Sequence, residues 1–285
     1  MSHDNNEKNT YIFDPLSAAE MARLIKQDRM VTQAMGGPLS GIVDPSALHT
    51  VLDLGCGPGG WVLDTAFAYP HLEVAGVDIS RPMIDYANAR ARTQRRTNAS
   101  FGVMNITEPF DFPDDSFELV NARYMLAVLK KDAWPPFLAE CHRVLRPGGL
   151  LRLTEPAQFG VTTSDAINAF MDLILKLLVA NDYAVSERSP TILPQLRRWM
   201  YTQGYQQIRL LAHALDFSGP TAAWPDTRDD IRIVGVQMEP LLLALGLITE
   251  QAFGALFQKV FIDLHQEEFS GLSHWTTIIG QKPSR

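Results

Sequence analysis

Short apolar runs alternate with amphipathic stretches between residues 51 and 155. The apolar runs have the length of buried β-strands, and the stretches between them have the 3.6-residue period of helices. The predicted strands cover residues 51–55, 72–77, 100–104, 117–122 and 150–154. Strands that alternate with helices form a parallel sheet with right-handed crossovers and helices on both faces. The pattern therefore predicts a doubly wound α/β fold.

The two flanks of this region are mainly helical in pattern. Residues 16–35 form an amphipathic stretch that ends at a Gly-Gly-Pro helix stop. After residue 155, two apolar helical stretches of about fifty residues each precede predicted strands at 206–215 and 275–280. Such stretches are too long to be loops and too apolar to be linkers. We expect a mostly parallel seven-stranded sheet with helical insertions that cap one edge.

Composition and charge narrow the classes of partner. The 285 residues are 46% hydrophobic and 20% charged, and the net charge of −7 gives no general attraction for nucleic acid. The arginines between residues 90 and 96 fit the polar end of a helix. No apolar run approaches the roughly 18 residues that span a membrane, and the two cysteines lack the spacing of a zinc site. We expect a cytoplasmic protein without a signal peptide, a metal, a nucleic-acid partner or a membrane segment.

A glycine-rich turn follows the first predicted strand. It reads Asp53-Leu54-Gly55-Cys56-Gly57-Pro58-Gly59-Gly60. Glycines let the backbone turn tightly and approach a ligand closely, and amides that open the following helix can donate to an anionic group. Gly55, Gly57 and Gly60 also satisfy the dinucleotide pattern G-x-G-x-x-G. The turn alone therefore does not show whether the cofactor is a dinucleotide or another compound.

Three further features distinguish between these possible cofactors. Asp53 lies two residues before the first glycine, and Asp78 closes the second strand, where it can hold two ribose hydroxyls. An Arg-Pro-Gly-Gly stop at residues 146–149 precedes the fifth strand. Together these features resemble the class I S-adenosylmethionine-dependent methyltransferases, over about residues 10 to 155. The resemblance implies a Rossmann-like fold, with residues 1–40 as tail and lid helix, 41–155 as the cofactor-binding core, and 156–285 as cap segments plus the last two strands.

The resemblance also assigns cofactor-binding residues. They lie in the lid segment, the glycine turn and the strand ends, and they are Tyr11, Arg23, Asp53, Gly55, Cys56, Gly57, Asp78, Ile79, Met83, Asn105, Ile106 and Arg123. Asn105 stands where the family usually has Asp, and its carbonyl can still accept from the adenine amino group. Arg23 and Gln27 share one helix face, which would either contact the carboxylate of S-adenosylmethionine or lie in solvent.

A narrower resemblance concerns the substrate. Trp61, Asp64 and the run from Gly76 to Ser80 look like the small-molecule subgroup, which contains secondary-metabolite enzymes and LaeA-like regulators. It implies methyl transfer to oxygen or nitrogen of a small organic molecule. Tyr124, which closes the fourth strand, and Trp224 are assigned to the substrate, although a packing role fits Trp224 equally well.

Some assignments stay open. No catalytic base is named, because His213, His265 and His274 each fit a structural role better, and the oligomeric state is not predicted. Two alternative functions remain. One is a non-catalytic regulator that binds the same cofactor, and the other is a nicotinamide-dependent oxidoreductase that shares the sheet and the glycine turn.

Overall fold

A single seven-stranded sheet organises the protein. The computed structural model describes residues 10–14, 16–184, 186 and 188–284, so most of the predicted N-terminal tail (residues 1–9) lies outside the described residues. The strands are β1 (Thr50–Leu54), β2 (Glu73–Asp78), β3 (Ala99–Val103), β4 (Phe117–Arg123), β5 (Leu145–Thr162), β6 (Gln206–Asp216) and β7 (Gly271–Gln281). Their order across the sheet is β3-β2-β1-β4-β5-β7-β6. The predicted seven-stranded α/β fold is confirmed.

The sheet is mostly parallel. β1 pairs in parallel with β2 and β4, and the parallel region continues to β3 on one side and β5 on the other. Only the pairings of β7 with β5 and β6 are antiparallel. The strand order reverses between β1 and β4, and ligands of such sheets bind at the carboxyl ends of the strands near this reversal. The glycine turn after β1 lies there.

Eight α-helices are present among the described residues. They are α1 (Ala18–Ala34), α2 (Gly60–Ala68), α3 (Arg81–Thr93), α4 (Trp134–Val144), α5 (Asp165–Ala180), α6 (Leu193–Thr202), α7 (Trp224–Ala244) and α8 (Glu250–Leu264). The side chains of Ser17, Ser164 and Thr249 cap α1, α5 and α8 by accepting from backbone amides of the first turn. None of these helices is long and apolar enough to cross a bilayer.

The fifth strand is much longer than the sequence pattern predicts. We expected it to end at residue 154 with helical sequence following, but β5 continues to Thr162. β7 pairs with this extension as far as Thr162 opposite Gly271, through register shifts on both sides of Gln158. Pro156 and the shifts break the alternation that marks a strand, so the extension has no clear pattern in the sequence. The expectation of helix directly after residue 155 is therefore wrong.

The helical insertions cover the carboxyl edge of the sheet. α5 packs against α8 and α7, and α7 packs against α1. Buried side chains of these helices, such as Phe170 on α5 and Met238 on α7, belong to the same apolar core as Leu54 and Leu153 in the sheet. The N-terminal helix and the cap thus enclose the strand ends from two sides.

Candidate cofactor and substrate cavity

A cavity of about 330 Å³ lies between the carboxyl ends of the strands and helices α1, α5 and α7. This volume is within the usual range of ligand pockets. All twelve residues that the resemblance assigns to the cofactor line the cavity, and so does Tyr124. They come together because each follows a strand end or faces the sheet from the N-terminal segment. Their contact with a cofactor remains a prediction.

The glycine turn leaves open space on the cavity side. Gly57 has a φ of +52°, in the left-handed region that favours glycine. A β-carbon at Gly57 would come no closer than 3.8 Å to the nearest other atom, on Leu24, whereas one at Gly60 would lie 1.8 Å from Oδ2 of Asp28. Gly60 therefore permits close packing of α1, and Gly57 keeps the cavity free of a side chain.

Asp78 connects the end of β2 to the glycine turn. Its Oδ2 accepts from the backbone N–H of Gly57 at 2.9 Å, and its Oδ1 accepts from the N–H of Ser80 at 2.8 Å. Burial raises the pKa of Asp78, and these backbone amides oppose the shift. A carboxylate oxygen can accept more than one hydrogen bond. Both oxygens can therefore still accept from a pair of hydroxyls.

Apolar side chains and Asn105 line the neighbouring part of the cavity. Ile79, Met83 and Ile106 form a wall that suits a flat ring. Asn105 differs from expectation, since its Oδ1 accepts from the backbone N–H of Thr107 at 3.0 Å and from the Thr107 hydroxyl at 2.8 Å. The carbonyl expected to accept from adenine is therefore already used in a local turn.

Asp53 lies beneath the glycine turn at the end of a buried polar chain. Nδ2 of Asn121 donates to its Oδ1 at 2.7 Å, and Nη1 of Arg152 donates to Oδ1 of Asn121 at 2.5 Å. Burial raises the pKa of Asp53 to about 7, against the lowering effect of Arg123 and the Asn121 hydrogen bond. Sequence reasoning missed Asn121 and Arg152, although each is a polar residue within an apolar strand.

Arg123 joins the cavity wall to α1. Its Nη2 forms an ion pair with Asp28, and its Nη1 donates to the hydroxyl of Thr32 at 3.1 Å. Asp28 was not predicted as a site residue. It follows Leu24 by one helical turn, on the face of α1 that lines the cavity. The position of Asp28 on the same helix face as Leu24 was the sequence signal that could have identified it as a site residue.

Arg23 is the centre of a second buried polar cluster. It is only 4% exposed, so the interpretation of a solvated helix face is wrong for this residue. Its Nε donates to Glu20 at 2.8 Å, and its Nη1 pairs with Asp230 of α7 at 2.9 Å. The hydroxyl of Tyr11 donates to the same glutamate at 2.5 Å. The lid segment, α1 and α7 thus meet at one arginine.

The side of the cavity formed by β5–β7, α5 and α7 is mainly apolar, and we call it the chamber. Its apolar lining residues are Phe159, Phe170, Met171, Ile174, Leu178, Leu215, Phe217, Ile231, Val234 and Met238. Polar groups come from Gln158, Thr227, Asp230, Ser273 and His274. Tyr124 lies where the chamber meets the glycine turn, with a φ of +60° that is unusual for an aromatic residue. Such backbone conformations are concentrated at functional sites.

Trp224 does not line the cavity. Its Nε1 donates to the backbone oxygen of Leu264 at 2.8 Å, and the guanidinium of Arg228 lies 4.5 Å from its ring centroid. This arrangement joins the start of α7 to the end of α8. The structure therefore supports the packing interpretation of Trp224, and the assignment to the substrate is not supported.

Glu155, inside the extended β5, has a structural role. It is buried and accepts from the backbone N–H groups of Met125 at 2.8 Å and Leu126 at 3.1 Å. Burial raises its pKa to about 8. Glu155 therefore fixes the turn that follows β4, directly after Tyr124.

The sheet is mostly parallel, a glycine turn follows β1, and an acid ends β2. This architecture is typical of an α/β domain that binds a nucleotide-like ligand. Residues 51–149 match a family model described as a methyltransferase domain. The predicted resemblance to the S-adenosylmethionine-dependent methyltransferases is thus supported over these residues. The match favours this family over a nicotinamide-dependent oxidoreductase.

Known relatives agree with this family. Methyltransferase pytC of Aspergillus terreus is 27% identical over 188 residues, which cover 64% of this chain and 52% of the relative. Nocamycin O-methyltransferase of Saccharothrix syringae is 33% identical over 51% of this chain and 50% of its own length. Secondary metabolism regulator LAE1 of Cochliobolus heterostrophus is 28% identical over 47% of this chain and 42% of its own length. The chain thus matches about half the length of these relatives.

Proposed function

We propose that the protein binds S-adenosylmethionine and transfers its methyl group to an oxygen or nitrogen of a small, largely apolar organic molecule. The observation that carries this proposal is one continuous cavity, which joins the glycine turn and Asp78 to the apolar chamber at Tyr124. Residues 1–40 would serve as tail and lid, 41–155 as the cofactor-binding core, and 156–285 as the cap with the last two strands.

The residues of the cavity fit the parts of this cofactor. Asp78 offers acceptors for the ribose hydroxyls, and Ile79, Met83 and Ile106 offer an apolar wall for adenine. Asp53 offers an anionic acceptor for the amino group of the methionine part. When bound, S-adenosylmethionine supplies an electrophilic methyl group together with its leaving group. The space at Gly57 would be lost if a side chain stood there.

The chamber favours an uncharged substrate. Among the described residues that line it, Asp230 carries the only carboxylate, and this carboxylate is paired with Arg23 at 2.9 Å. A charged substrate buried among the phenylalanines, leucines and methionines would lack a free counter-charge. The hydrogen-bonding groups of Gln158, Ser273 and His274 can orient a hydroxyl or an amine. Transfer requires this acceptor to be held in line with the methyl group and away from bulk water.

Two measurements test the proposal. Calorimetric titration with S-adenosylhomocysteine should show binding at one site, and NAD under the same conditions should show none. Incubation with methyl-labelled S-adenosylmethionine and a panel of phenols, alcohols and amines should then label an uncharged apolar acceptor. Binding of NAD without binding of S-adenosylhomocysteine would refute the proposed function.

A second candidate function is a non-catalytic regulator that binds the same cofactor. The similarity to the regulator LAE1 is the observation that favours it. The labelling experiment separates the two functions, because a regulator would bind S-adenosylhomocysteine and label no acceptor in the panel. Labelling of one acceptor, lost in a variant that no longer binds the cofactor, would favour the enzyme.

A further inference from the structure

Two polar side chains lie inside the sheet beneath the cavity. Asn121 on β4 and Arg152 on β5 are opposite each other in the strand register, and each is 0% exposed. The nitrogens of Arg152 donate to Oδ1 of Asn121 at 2.5 Å and to the backbone oxygen of Ser40 at 3.2 Å, and neither acceptor is a carboxylate. Its Nη2 has no hydrogen-bond partner among the described residues. Burying such a cation is costly, so the placement of Arg152 inside the sheet calls for a compensating role.

The hydrogen bonds fix the direction of the Asn121 amide. A guanidinium can only donate, so Arg152 holds the carbonyl oxygen of Asn121 on its own side. The amide nitrogen is thereby directed to Asp53, where it donates to Oδ1 at 2.7 Å. Without Arg152, the amide could turn over and present its oxygen to the carboxylate, which would repel it.

We propose that Asn121 and Arg152 are positioning residues, which favour the ionised form of Asp53 and orient its carboxylate to receive the amino group of the cofactor. The inference rests on the proposed function, since it concerns the same cofactor site. Arg152 acts through Asn121, so neither residue needs to touch the ligand. The buried polar chain Asp53–Asn121–Arg152 is hereafter called the relay.

The relay acts within a crowded electrostatic environment. The charged and titratable groups that act on Asp53 are Asp28 on α1, Cys56 in the glycine turn, Arg123 on β4 and Arg152 on β5. Burial alone disfavours the carboxylate, and Asp28 adds to this effect, whereas Arg123, Asn121 and Arg152 favour ionisation. Loss of the relay should therefore raise the pKa of Asp53 further. Binding of a cationic amino group to Asp53 should then require a higher pH.

Two variants remove the relay in different ways. Arg152→Met removes the charge and keeps the length of the side chain, and Asn121→Leu combined with Arg152→Met replaces both members with apolar groups. The double variant removes both members of the pair together, a replacement that proteins often tolerate, and it leaves Asp53 without the hydrogen bond from Asn121. Arg152→Lys is the conservative variant, because it keeps a cationic donor. Arg146→Met is the matched control, since Arg146 is on the same strand and bonds Glu118 rather than Asn121.

The experiment has a measurement that needs no cofactor. The pKa of Asp53 is read from the carboxyl signal of ¹³C-aspartate-labelled, ligand-free protein, with Asp53→Asn identifying the signal. We expect it to rise by about one unit in both relay variants, and the affinity for S-adenosylhomocysteine at pH 7 to fall about fivefold, as the ionised fraction of Asp53 does. Arg152→Lys should recover most of the affinity, and Arg146→Met should leave both quantities unchanged.

The possible results separate the relay from the proposed function. A folded relay variant, in either form, whose Asp53 pKa and affinity match the unmodified protein would overturn the relay. A raised pKa in a protein that never binds S-adenosylhomocysteine would support the effect on Asp53 and refute the proposed function. Equal losses in Arg152→Lys and Arg152→Met would show that cavity shape, and not charge, is responsible, which also overturns the relay.

Discussion

Replacing Asp53 by Asn should stabilise the ligand-free protein, and the gain in unfolding free energy should grow as the pH rises. Burial raises the pKa of this carboxyl from its ordinary 3.8 to about 7. An unfolded chain loses the Asp53 proton near pH 4, whereas the folded chain keeps it to about pH 7. Stability therefore falls as the pH rises from about 4 to about 7, and the full cost is present above about pH 7.

The magnitude follows from this difference. A shift of about three pKa units, at about 1.36 kcal/mol each, gives at most about 4 kcal/mol of lost stability above pH 7. About 1.5 of these units lie between pH 5.5 and pH 7, so about 2 kcal/mol of the cost should develop over that interval. Asn in place of Asp53 removes the charge and retains an oxygen that accepts from Asn121.

Urea unfolding of the ligand-free protein at pH 5.5 and pH 8 measures the effect. The difference in unfolding free energy between Asp53→Asn and the unmodified protein should be about 2 kcal/mol larger at pH 8. Asp85→Asn controls for the loss of one negative charge, because Asp85 is exposed on α3. A difference that is the same at both pH values would show that Asp53 ionises without cost and would refute the reasoning. The same variant should bind S-adenosylhomocysteine more weakly, since it loses the anionic acceptor.

The remaining predictions concern the two sides of the cavity. Asp78→Ala should weaken binding of S-adenosylhomocysteine by about 1.5–3 kcal/mol in calorimetry, because a charged acceptor is lost, and unchanged affinity would move the site elsewhere. Gly57→Ala should weaken it as well, by strain at a positive φ and by occupation of the open space. Gly102→Ala is the matched control, because a β-carbon at Gly102 meets no atom within 4 Å. His274 lines the chamber and is the candidate to take up the proton of a hydroxyl acceptor. His274→Ala should then slow methylation of such an acceptor by about 100-fold or more, while cofactor affinity stays constant. Equal turnover would exclude this histidine as the base.

The positions of the residues assigned to the cofactor could be predicted because these residues belong to short local patterns. A glycine turn after one strand and an acid at the end of the next strand must meet, since the carboxyl ends of parallel neighbours share one edge. The sequence therefore placed Gly57 and Asp78 in one cavity without knowledge of the strand order. Tyr124 was predicted in the same way, from its position at the end of β4.

The relay could not be predicted by this route. Its members lie in the middle of two strands, and their meeting depends on β4 and β5 being neighbours with Asn121 opposite Arg152. Local periodicity contains neither the order of the strands nor their register. The roles of Trp224 and Asn105 could not be predicted from residue type either. The side chain of Trp224 hydrogen-bonds to Leu264, and that of Asn105 hydrogen-bonds to Thr107.

Helix α1 connects the two sides of the cavity through its charged residues. Asp28 pairs with Arg123 at the end of β4 and packs closely on Gly60 of the glycine turn. Arg23, five residues earlier, pairs with Asp230 of the cap helix α7. Because both pairs belong to one helix, a displacement of α1 that opened the cofactor side would also break its contact with the chamber. Helix α1 is therefore a common wall of both sides of the cavity, and under the proposed function the positions of cofactor and substrate would depend on this one helix.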